Sequence, residues 1–233
     1  FLPSLNYGHI KQWVVGMPHE LKTRKNYHGV LKQMLKDAKR SGHISQMPDM
    51  VEFRGGLSVP SKIPEWLTRD KQESILAEIP AADRWIFMYL METGCRPSEA
   101  RALQKRDIKR EQNRILVRHA IGSDGKLKEV KQKKEQYISL TAEIYNIFDT
   151  MPANLSPFVF VYSVTGKPYT KNINRDIWNP ACKRALGYVF PLNNACRHSK
   201  ANQMIAAGVS VYDVKKQLRH SSVKVTESNY LGS

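Results

Sequence analysis

Two arginines stand at junctions between segments of different pattern, Arg96 in the run TGCRPSE and Arg197 in NACRHSK. A guanidinium stays charged at physiological pH and offers a planar fork to two oxygens of one phosphate. Two forks converging on one phosphodiester would stabilise the extra negative charge of a pentacoordinate transition state. The competing role for each is an ordinary surface charge or a salt bridge, and Glu99, three residues after Arg96, is a ready partner on the same helix. Near the chain end, Leu218-Arg219-His220 is followed ten residues later by Tyr230. A tyrosine, with a pKa near ~10, can take a phosphoryl group once its proton has somewhere to go. There are ten tyrosines, so packing is the default role of each. His198 and His220 carry the same alternative, a hydrogen-bonded structural imidazole.

Other chemistries find little footing. The sequence holds no HExxH, no His/Cys cluster, no GxxxxGKS/T and no GxGxxG, so neither a metal nor a nucleotide cofactor is expected. Its acidic residues form no D-x-D group, which argues against two-metal nuclease chemistry. Cys95 and Cys196, each next to one of the two arginines, read as small buried hydrophobes. Three cysteines without CxxC spacing exclude a disulfide framework and fit a reducing, cytoplasmic setting. The formal net charge of +16 in 233 residues favours a polyanionic partner, most simply nucleic acid. The longest apolar run, Trp85 to Met91, is far short of the ~20 residues that span a bilayer, so no membrane is expected. A chain that opens on Phe1 rather than Met reads as a piece of a longer protein.

The elements that must position these residues are mostly helical. Tyr27, Val30, Leu31, Met34, Leu35 and Ala38 recur at spacings of three and four, predicting an amphipathic helix capped by Thr23 and stopped by Gly42. A shorter helix is expected around 11–15. Lys22, Lys25, Lys32, Lys36, Lys39 and Arg40 decorate the longer one, either as a solvated face or as phosphate contacts. The run FRGGLSVPSKIP over 53–64 reads as a linker. Helices are predicted after Thr68 and over 82–93, the second ended by Gly94, and Pro97 suits the first turn of the next. Residues 114–121 are strand-like and 122–125 a turn; 126–130 pair back and 136–140 supply a third strand. Five lysines fall between 126 and 134. Helices return near Ala142, over 173–186 and after Asn194, with Ser210 and Asp213 in capping-box form. The class is α+β, mostly helical, with one small three-stranded antiparallel sheet.

In this order the pieces resemble the tyrosine recombinases, the phage integrase family. TGCRPSEARAL (93–103) resembles that family's first arginine box, and KQKKEQYISL (131–140) its lysine-bearing hairpin. NACRHSKANQMIAAGVSVYDVKKQLRHSSVKVTESNY (194–230) resembles its second box almost without a break. The resemblance covers about 65–230. It implies a helical remnant of the DNA-binding core-binding domain over 1–58 and a catalytic domain over 59–233. It places the phosphate-clamping arginines at Arg96 and Arg197, the general acid at Lys131, a phosphate hydrogen-bond donor at His220 and the nucleophile at Tyr230. Lys133 and Lys134 join the lysines of the long helix as expected DNA contacts. The implied partner is double-stranded DNA, cut and rejoined through a 3′-phosphotyrosine by a homotetramer on two sites. A catalytically silent DNA-binding relative and a type IB topoisomerase-like enzyme are the alternatives.

Three positions depart from the family pattern. Asn194 stands where His or Lys is usual, and it can hydrogen-bond but cannot carry a proton at neutral pH. Arg219 replaces a usual glycine before His220, and Tyr230 lies one residue beyond the usual spacing. Asn194 is retained among the expected catalytic positions.

Overall fold

The computed structural model describes residues 5–57, 65–130 and 136–219. The chain divides into two compact units, Phe1–Lys62 and Ile63–Ser233. In the first, α1 (Tyr7–Gly16) opens at Asn6, whose Oδ1 accepts the His9 N–H at 3.1 Å. α2 (Leu21–Arg40) begins before the expected cap: Glu20 precedes it and Thr23 lies inside the first turn. Gly42 ends it as expected, with φ 77° and the His43 N–H returning to Ala38 O.

Ile10, Val14, Met17 and Val51 make the small core of this unit, with Leu31 and Phe53 packed on it. The buried stripe of α2 is narrower than its apolar pattern predicts. His28 and Leu35 are buried and Leu31 half-buried, whereas Tyr27, Val30 and Met34 stay exposed at 48%, 58% and 63%. Lys22, Lys25, Lys32, Lys36, Lys39 and Arg40 are all exposed. Burying those charges would cost far more than packing their stems could return.

The second unit is built around a buried helix. After α3 (Arg69–Ala77), α4 (Arg84–Thr93) buries Ile86, Phe87, Tyr89, Leu90, Met91 and Thr93, so nearly every face is covered. Phe87 stacks on Trp178 at 5.5 Å, and the Trp178 Nε1–H donates to Phe190 O at 2.7 Å, so this large ring is buried with its polar atom satisfied. Gly94 ends α4 in the left-handed region, φ 64°, and Pro97 opens the short α5 (Pro97–Ala102).

The strands differ in detail from the sequence reading. β1 (Ile108–Lys109), β2 (Arg114–Val117) and β5 (Gln136–Ser139) form the three-stranded antiparallel sheet, in the order β1-β2-β5. β3 (His119–Ile121) and β4 (Leu127–Glu129) make a separate two-stranded ribbon. The single strand expected over 114–121 is thus broken at Arg118. Its first half pairs Ile115 with Ile138, and its second pairs Ala120 with Lys128. Both halves keep strand-like composition, which does not reveal a change of partner.

α6 (Ala142–Thr150) packs on α4, with Ile144 in the shared core and Phe148 stacked on Tyr89 at 5.8 Å. A π-helical turn, Asn174–Trp178, leads into α7 (Asn179–Leu186). A second, Asn194–His198, leads into α8 (Ser199–Ala206), and α9 (Val211–Leu218) follows. Ser210 caps α9 as expected, accepting the Asp213 N–H at 3.2 Å. Among the described residues no helix is long and apolar enough to cross a membrane.

Candidate active site

Arg197 sits in the π-helical turn that opens α8, and its residue is only 4% exposed. A π turn shifts the backbone ladder by one residue and leaves carbonyls that need other partners. Side chains supply them. The Gln72 amide donates to Ala195 O at 2.5 Å, the Ser199 hydroxyl to Asn194 O at 2.8 Å, and the Asn202 amide to His198 O at 2.8 Å. Ser199 Oγ also accepts the Leu67 N–H at 2.8 Å. Gln72 is fully buried on α3, a polar residue on an apolar face. That misfit is the sequence signal for a supporting role.

The Arg197 guanidinium joins two distant stretches of chain. Nη1 donates to Gly94 O at 2.9 Å and Nη2 donates to Leu218 O. Gly94 lies two residues before Arg96, and Leu218 two before His220, so one side chain brings both arginine boxes together. Gly94 is required here twice over. Its φ is positive, and a Cβ would meet Leu218 Cδ2 at 2.6 Å.

Arg96 precedes α5, with Pro97 fixing the first helical residue. The Glu99 carboxylate reaches back, accepting the Arg96 backbone N–H at 3.1 Å and the Arg96 Nη1–H at 2.9 Å. The expected Arg96–Glu99 partnership is present. It does not bury Arg96, whose side chain remains 44% exposed beside an almost fully buried Glu99. Glu99 has a second cationic partner that the sequence does not announce, the buried guanidinium of Arg219. Burial by itself would raise the Glu99 carboxyl. Arg219 and then Arg96 outweigh it and hold the group below the usual carboxylate range.

Cys95 and Cys196 are buried, as small hydrophobes should be. Burial first, and the Glu99 charge second, push the Cys95 thiol up to about 11. Burial likewise pushes Cys196 well up, so neither is a nucleophile near neutral pH. The His198 imidazole is shifted down by burial and by neighbouring Arg197, which favours its neutral form.

Asn194 begins the π turn and is half-buried. Of the remaining expected site residues, Lys131, Lys133, Lys134, His220 and Tyr230 lie outside the described residues. The structure fixes the chain up to their thresholds. The Val130 N–H donates to Arg118 O at 2.9 Å, one residue before Lys131. Arg101, buried in the last turn of α5, donates from Nη2 to Ile121 O at 2.9 Å and so ties the Arg96 helix to the ribbon that leads there.

The phage integrase family model matches residues 65–233. This chain belongs to the phage integrase family. Its catalytic-domain fold is that of solved integrases. The Tn1549 transposon integrase, solved in complex with a circular intermediate DNA, superposes with a TM-score of 0.77 at 20% identity, over 98% of this chain and 82% of that one. The XerH site-specific recombinase bound to a difH substrate gives 0.68 at 17% identity, over 98% and 68%. Among curated relatives, the tyrosine recombinase XerA of Thermococcus onnurineus (strain NA1) is 28% identical over 175 residues. That of Pyrococcus furiosus is 27% identical over 175 residues. The match takes in 72% of this integrase-family chain and 58% of the length of either XerA.

Proposed function

We propose that this chain is a site-specific DNA recombinase that cuts and rejoins strands through a 3′-phosphotyrosine. The observation that best supports the reading is Arg197 bonded to both Gly94 O and Leu218 O, which gathers the two arginine boxes. In this reading Arg96 and Arg197 bind the non-bridging oxygens of the scissile phosphate and offset the charge that builds on them. The Tyr230 hydroxyl loses its proton to solvent as its oxygen attacks phosphorus, the P–O5′ bond breaks, and Lys131 gives its proton to the departing 5′ oxygen. His220 donates a hydrogen bond to the phosphate. The phosphodiester energy is kept in the tyrosyl bond, so reversal by another 5′-hydroxyl joins strands without a cofactor.

The partner is double-stranded DNA, and XerH and the Tn1549 integrase were each solved with DNA. Residues 1–58 serve as the core-binding part, with the exposed lysines of α2 and Lys133 and Lys134 on phosphates. Residues 59–233 serve as the catalytic domain. Four protomers act on two sites, in the cytoplasm.

Tyr230→Phe tests the reading. It should abolish covalent protein–DNA adducts on nicked duplexes and leave DNA binding unchanged, since so mild a substitution costs only ~1 kcal/mol of stability. An adduct that survives in the variant removes Tyr230 as nucleophile. Binding without any adduct in the parent protein makes the chain a silent relative. Relaxation of plasmids lacking a recognition site makes it topoisomerase-like.

A further inference from the structure

We propose that Arg219 is a positioning residue: from the turn after α9 its buried guanidinium fixes the Glu99 carboxylate, and through it sets Arg96 for phosphate. The inference rests on the recombinase reading above.

The backbone at Arg219 lies in the left-handed region, φ 55° and ψ 46°, where a side chain bearing Cβ is disfavoured and glycine is at ease. The side chain is nevertheless only 4% exposed. Both features work against stability unless the guanidinium does something in the interior. What it does is bond Glu99 across a sequence separation of 120 residues. Glu99 is the hub. Its Oε1 takes the Arg96 guanidinium, and its Oε2 is shared by the Arg96 backbone N–H and Arg219.

This division of the carboxylate has a consequence for Arg96. A carboxylate with both oxygens free draws a neighbouring guanidinium into a bidentate pair and neutralises it. With Oε2 occupied by Arg219, Glu99 holds Arg96 through one nitrogen, Nη1. Among the described residues nothing else bonds the Arg96 fork, whose exposed side faces an incoming oxyanion. Two cations on one anion also leave a net positive charge beside the Arg197 turn. Asn194, unable to carry a proton there, contributes none.

The test uses the full chain with Arg219→Gly and Arg219→Lys. Glycine suits the left-handed turn, so the first variant removes the guanidinium without adding backbone strain. The first readout is the affinity for inorganic orthovanadate, a tetrahedral phosphate analogue whose vanadium readily takes a fifth ligand, and needs no DNA. The second is the single-turnover adduct rate on a nicked duplex, measured beside the DNA dissociation constant. Arg219→Gly should weaken vanadate and slow adduct formation by roughly 10–100-fold, the worth of one hydrogen bond to a charged group, with DNA affinity unchanged. Arg219→Lys, which keeps the charge without the planar fork, should recover only part of each loss. Unchanged vanadate affinity in Arg219→Gly overturns the proposal. So does full recovery in Arg219→Lys, because charge rather than placement would then suffice. A parent protein that forms no adduct sinks the recombinase reading, and the vanadate comparison still decides the role of Arg219.

Discussion

At residue scale the site depends on how few atoms hold it. Gly94 has a positive φ and no room for a Cβ beside Leu218. Gly94→Ala therefore combines left-handed strain, about 1–2 kcal/mol, with overpacking of about 1–3 kcal/mol. Chemical denaturation should show a loss within the sum of those ranges, and the adduct rate should fall with it because the Gly94 carbonyl anchors Arg197. Glu99 supplies a pH signature. Its carboxyl is lowered in the folded protein, so its contribution is complete above the unfolded value of about 4.3 and disappears as pH drops through the folded value. Unfolding free energy followed from pH 6 downward should decline in that window, and the decline should be shallower in Glu99→Gln. Asn194→His should speed adduct formation and introduce a pH dependence at or below ~6.5, since neighbouring Arg197 disfavours an imidazolium, as it does at His198. An equal or slower variant would mean that Asn194 is no missing proton carrier.

At element scale the Asn194–His198 π turn and the short α5 do the positioning. The Asn194–His198 turn relies on Gln72 for its Ala195 carbonyl. Gln72→Leu leaves that carbonyl buried without its partner and should cost about 1–3 kcal/mol, read from a shift in the denaturation midpoint at constant slope. How much of this was legible in the sequence follows how local the cause is. Gly94, Pro97 and the Ser210 cap act within one turn, and they announce the ends of α4, α5 and α9 correctly. The fate of Arg219 is not local: nothing within four residues explains a buried arginine in a left-handed turn, because its partner is Glu99. Arg118 shows the same limit in a strand. Strand-like composition continues on both sides of it, while the chain changes partner from β5 to β4. On α2 the failure runs the other way. Tyr27, Val30 and Met34 fit the helical period, but periodicity gives phase and not the width of the face that is covered.

At the scale of the whole molecule, net charge and chain topology matter most. With +16 and a run of exposed lysines on α2, DNA affinity should fall on the order of 10³–10⁵-fold between 50 and 200 mM salt if roughly 6–10 phosphates are contacted. Replacing Lys25, Lys32 and Lys36 by Gln should flatten that slope, as filter binding across salt concentrations would show. All three cysteines of the chain are buried, so thiol labelling at neutral pH should report unfolding rather than surface reactivity. The Arg197 bond to Gly94 spans 103 residues, and the Arg219 bond to Glu99 spans 120. Contacts so distant along the chain close late, after the loops between them have given up their entropy. A ribosome-bound or half-folded chain thus carries Arg96, Arg197 and Glu99 with nothing to hold them together. Their cluster is acquired only on completion of the fold.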